Sequence, residues 1–93
     1  MESLIKAIKD LHGCNATYLE SIRVKEEFEG QAVWEGTVHI YNVDHQDTNT
    51  CYAWSSPVEG SKNRKFYTVL KLPPVKSVQD AVKASIVSDY QTK

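Results

Sequence analysis

Apolar residues recur along this chain at two different spacings, and each change of spacing marks an element. Leu4, Ile5, Ile8 and Leu11 fall at helical intervals with Lys6, Lys9 and Asp10 opposite, and His12-Gly13 follows as a stop. A first helix is expected from about Glu2 to His12. Gly13 is expected to take the left-handed conformation that ends it, and His12 to cap its last carbonyls or meet the negative end of its dipole. From Ala16 to Phe28 the period falls to two, with Ile22, Val24 and Phe28 on one side and Ser21, Arg23, Lys25 and Glu27 on the other. After Glu29-Gly30 the alternation resumes from Gln31 to Val43, setting Trp34, Val38 and Ile40 against Glu35, Thr37, His39 and Tyr41. These two runs predict a long hairpin.

Asp44 to Asn49 is polar throughout and reads as a loop. Thr50 to Ser55 is a short third strand with two readings of its faces: either Tyr52 and Trp54, or Cys51, Ala53 and Ser55, turn inward. Pro57 to Asn63 carries turn residues, and Lys65 to Leu72 alternates again as a fourth strand. Pro73-Pro74 stops it, because proline has no N–H to give a ladder. Ser77-Val78-Gln79-Asp80 then resembles a capping box with Asp in the place of Glu. It opens a second helix with Val78, Ala81, Val82, Ile86 and Tyr90 as its apolar stripe, fraying around Ser88 to Tyr90.

The expected fold is α+β in the order α-β-β-β-β-α: a four-stranded antiparallel sheet of two consecutive hairpins, with the N- and C-terminal helices packed on one face. The expected core beneath them is Ile22, Val24, Phe28, Trp34, Val38, Ile40, Phe66, Leu70 and Leu72. The opposite face stays open and shows Arg23, His39, Tyr41, Tyr67 and Lys71, joined by Trp54 if strand 3 turns its rings outward. An exposed aromatic patch of that kind marks an interaction surface. Gly36, inside a strand, is expected to mark a bulge or bend.

Composition narrows the choice of function. The chain has 93 residues, enough for one domain and no second core, and 41% of them are apolar, including two Trp, five Tyr and two Phe. Eleven basic and twelve acidic side chains give a formal charge of −1, without the positive field that non-specific nucleic-acid binding needs. Apolar runs are far shorter than the roughly 20 residues of a membrane span, and the charged start of the chain does not read as a signal peptide, so a cytoplasmic location is expected. Cys14 and Cys51 are expected to be free thiols.

No chemistry announces itself. His12, Cys14, His39, His45 and Cys51 lack the paired spacing of a zinc site, and neither cysteine sits in a nucleophile signature. Gly13, Gly30, Gly36 and Gly60 are too scattered for a phosphate loop. No catalytic residue, metal or cofactor is expected. The reading is a non-catalytic binding or regulatory module that uses its open sheet face toward a protein or a second copy of itself. The alternative is nucleic-acid binding through Lys62, Arg64 and Lys65 beside Tyr67 or Tyr41. The order helix, antiparallel strands, helix resembles the double-stranded RNA-binding fold over most of the chain. That family has three strands and a lysine-rich start to its second helix, whereas this chain reads as four strands with only Lys76 and Lys83 there. A small enzyme is the third and least favoured reading.

Overall fold

The computed structural model of the chain describes residues 2–57, 60 and 62–91, apart from the side chains of residues 2, 28, 57 and 88–91. Its elements are α1 (Glu2–His12), β1 (Ala16–Phe28), β2 (Gln31–Val43), β3 (Thr50–Pro57), β4 (Arg64–Leu70) and α2 (Val78–Gln91). The four strands form one antiparallel sheet in the order β1-β2-β3-β4, as the alternation predicts. The β1–β2 hairpin turns on Glu29 and Gly30, both at positive φ (52° and 79°), the pairing a tight hairpin turn requires. Leu72 lies beyond β4, because Leu72 N–H donates back to Leu70 O at 2.9 Å and ends the strand. α2 runs on through Ser88 to Gln91 without the expected fraying; the expected core contacts of Phe28 and Tyr90 fall on side chains outside those described.

Local signals set the helix ends. Gly13, at φ 70°, donates its N–H to Lys9 O at 2.8 Å and closes α1. His12 does not cap: its Nε2 lies 2.8 Å from Thr68 Oγ1, tying the end of α1 to β4. At α2, Asp80 N–H donates to Ser77 Oγ at 3.2 Å, while the Asp80 carboxylate accepts from Lys76 N–H at 3.0 Å. Ser77 thus caps the helix as in a capping box, while the return bond goes to the residue before the cap instead of to the cap itself.

The two helices lie on opposite faces of the sheet, and this corrects the expectation that both share one. Leu4 and Ile8 of α1 are buried with Cys14, Tyr41, Val43, Cys51 and Ala53. Ala81 and Val82 of α2 are buried with Val24, Val38, Tyr52 and Trp54. Cys51 and Ala53 alternate with Tyr52 and Trp54 along β3, so the two clusters sit on its two sides. All four are at most 4% exposed. The physical reason is that β3 and β4 are apolar on both sides, so one helix alone leaves half of that surface in water. The expected core divides accordingly. Val24 and Val38 are buried and Trp34 and Ile40 half-buried on the α2 side, Leu70 belongs to the α1 side, and Ile22 and Phe66 are exposed.

Gly36 carries no bulge. It pairs in regular register with Val24, and the ring of Trp34 lies over it, 3.0 Å from where a Cβ would stand. The register shifts of β1 fall instead between Tyr18 and Glu20 and between Glu26 and Glu27.

Candidate functional site

The ladder between β2 and β3 is short. It runs only from Asn42↔Thr50 to His39↔Ala53. Beyond His39, β2 stays paired with β1 and beyond Ala53, β3 stays paired with β4, so the two hairpins part. A depression of about 330 Å³ occupies the gap, lined by Arg23, Glu35, Thr37 and His39 of the first hairpin and by Ser55 and Arg64 of the second. Strand alternation sets these side chains on the α1 side of the sheet, and α1 covers the other end of that side, over Tyr41, Val43 and Cys51.

Each wall carries an arginine. Arg64 donates from Nε to Ser55 Oγ at 3.0 Å and from Nη2 to the Ser55 carbonyl at 3.1 Å, which fixes its guanidinium along the wall. Arg23 meets Glu35 loosely, 3.7 Å between Nη2 and Oε2. His39 of the same cleft is half-buried, its Nδ1 2.7 Å from Ser21 Oγ, which lies 2.6 Å from the Tyr18 hydroxyl. Desolvation pushes the His39 pKa below the usual imidazole value, which favours the neutral ring. The chain runs in either sense: with the proton on Nε2, Tyr18 donates to Ser21 and Ser21 to Nδ1; with it on Nδ1, the ring donates to Ser21 and Ser21 to Tyr18.

The expected recognition set is divided by this architecture. Arg23 and His39 meet in the cleft, and Arg64 of the basic group joins them. Tyr41 is wholly buried under α1, because its face of β2 is the face α1 covers. Trp54 and Tyr67 lie on the α2 side, stacked at 5.3 Å with their planes 11° apart, and Trp54 is 1% exposed. Lys65 reaches over the Tyr67 ring at 5.0 Å on that side, away from Arg64. Lys71 and Lys62 are exposed outside the strands. Ser55 and the parting of the hairpins escaped the sequence reading, although Ser55-Ser56 interrupts the apolar run of strand 3 and is the one signal that points there.

Both thiols are free and buried. Burial, then the neighbouring Cys14, pushes Cys51 up to about 12, and burial also raises Cys14, so neither offers a thiolate at neutral pH. Among the described residues no group of three or more His, Cys, Asp or Glu side chains gathers as a metal site, and no helix is long and apolar enough to cross a membrane. Comparison with protein-family models, with curated proteins and with solved structures finds no match to this chain.

Proposed function

We propose that the chain is a non-catalytic protein-binding module that takes an acidic, extended segment of a partner into the cleft between its hairpins. The observation that carries this reading is the pair of arginines on opposite walls, Arg23 and Arg64, in one cleft with His39, which sits at the end of the β2–β3 ladder where the walls meet. A carboxylate entering between them exchanges water for charge-assisted hydrogen bonds. Strand backbone left outside the β2–β3 ladder supplies main-chain groups for an extended peptide.

The surrounding charge pattern favours a protein over a nucleic acid. Cations on this face are answered by acids, Arg23 by Glu35 and Lys25 by Glu27 at 3.4 Å, so the face lacks the extended positive field that a nucleic-acid backbone requires, while a short acidic segment needs only the two arginines of the cleft. The basic group proposed for nucleic acid is also split, with Arg64 on one face and Lys65 on the other.

Titration of the labelled protein with a glutamate-rich decapeptide tests the reading by amide chemical shifts. The expected result is movement of Thr37, His39 and Ser55, lost in Arg23→Ala and Arg64→Ala, while a lysine-rich decapeptide has no effect. Shifts elsewhere, or none, overturn it. So does tighter binding of an RNA duplex at low salt that falls away steeply as salt rises.

A further inference from the structure

The two edges of the sheet are built differently. β1 is blunted in the way sheet edges usually are, by two register shifts and by exposed Glu20, Lys25 and Glu27. β4 carries charge only at its first two residues, Arg64 and Lys65, and none from Phe66 to Leu70. Its register against β3 is unbroken from Arg64 to Leu70. Lys71 N–H donates to Thr50 O at 3.0 Å, which fixes the phase of the ladder: odd-numbered residues turn their main-chain groups toward β3, and Phe66 and Thr68 turn theirs outward.

Those outward groups lie along a groove of about 330 Å³ between Leu11 of α1 and Ala84 and Ser85 of α2. The groove floor is the β4 stretch from Lys65 to Val69. Its surroundings are apolar in all three layers: Leu11 is 66% exposed, Phe66 40% and Val87, one turn along α2 from Ala84, 54%. Among the described residues the Thr68 carbonyl has only a long side-chain contact of 3.4 Å from His12 Nε2, whose closer partner is the Thr68 hydroxyl.

We infer that β4 pairs antiparallel with β4 of a second copy about a two-fold axis at Tyr67, joining two sheets into one of eight strands. The outward phase selects the register, Phe66 opposite the partner's Thr68 and Thr68 opposite the partner's Phe66, with main-chain bonds exchanged in both pairs. Charge selects the direction. Arg64 and Lys65 crowd one end of the strand, and a parallel arrangement sets them against their own copies. The two-fold arrangement places Arg64 opposite the partner's Leu70, and at roughly 3.3 Å per residue it separates the two copies of Arg64 by about 20 Å and the two copies of Lys65 by about 13 Å. Each layer then meets its own copy, as a closed two-fold interface requires. This inference is independent of the cleft, which opens on the far side of the β3–β4 hairpin.

Sedimentation of the full chain across a roughly hundredfold concentration range tests it, because a dimer obeys mass action. The wild type is expected to move from monomer to dimer, with amide exchange of Phe66 and Thr68 slowing as concentration rises. Phe66→Pro removes an outward N–H that β3 does not use, and Leu11→Glu places a charge at the groove wall. Both are expected to remain monomeric with unchanged circular dichroism. If Phe66→Pro fails to fold, Leu11→Glu decides. A wild type that stays monomeric throughout, or a dimer that survives Leu11→Glu, overturns the inference.

Discussion

Gly36 shows how one residue can be chosen by its neighbour two positions away. The ring atoms of Trp34 stand 3.0 and 3.1 Å from the point where a Cβ at residue 36 would sit. Trp34 has little freedom to retreat, since its ring meets Trp54 edge-on at 5.9 Å and Trp54 is itself stacked on Tyr67. Gly36→Ala is therefore expected to destabilise the fold by about 1–2 kcal/mol through overpacking, and to change the near-ultraviolet signal of the tryptophans, both read in a urea titration. An unchanged midpoint with an unchanged spectrum would mean that the ring is free to swing. A glycine inside a strand reads from sequence as a bulge or bend, and only the ring lying over it distinguishes this case. The aromatic at i−2 was the available signal, since residues two apart share a face of a strand.

At the scale of elements, the connections are tied by a small polar clasp. Asp44, just after β2, accepts from Asn15 N–H at 2.7 Å and from its side-chain amide at 2.9 Å, and Lys9 of α1 reaches Asn15 Oδ1 at 3.4 Å. The Asn15 side chain and then its N–H hold the Asp44 carboxyl below the usual carboxylate range. A depressed native pKa means that the folded chain binds fewer protons than the unfolded one. The contribution is whole above the unfolded value of about 3.9 and is lost as pH falls through the native value. Asp44→Asn is accordingly expected to be less stable than wild type at pH 7, with the gap closing at about pH 2. Urea midpoints at the two pH values check this, and a gap that stays constant would rule out an ionic origin. The elements themselves were readable because period two, period 3.6, the capping box and Glu29-Gly30 are local signals. Element ends were less so: β3 extends to Pro57 and β4 stops at Leu70, where the pairing partner rather than the local residue decides.

Over the whole molecule, placement of the helices was the feature least legible in the sequence. Alternation reports a strand with one wet face, and β3 has none: Cys51 to Trp54 are buried in turn under α1 and under α2. Its two equally plausible inward faces were the trace of a strand covered on both sides. The candidate site suffered most, since Tyr41 and Trp54 proved to be core and only Arg23 and His39 of the expected set share a cleft. This arrangement also governs how the molecule comes apart. Two clusters that share β3 cannot be opened separately without exposing the other side of the same strand, so they should unfold together. Each carries its own reporter, Cys14 and Cys51 on the α1 side, Trp34 and Trp54 on the α2 side. The thiols are protonated and buried in the folded chain, so labelling at pH 8 requires opening. Thiol labelling and tryptophan fluorescence are expected to give coincident denaturant midpoints. A labelling transition at clearly lower denaturant would show instead that α1 lifts from the sheet as a unit of its own, leaving the α2 cluster to hold β3 in place.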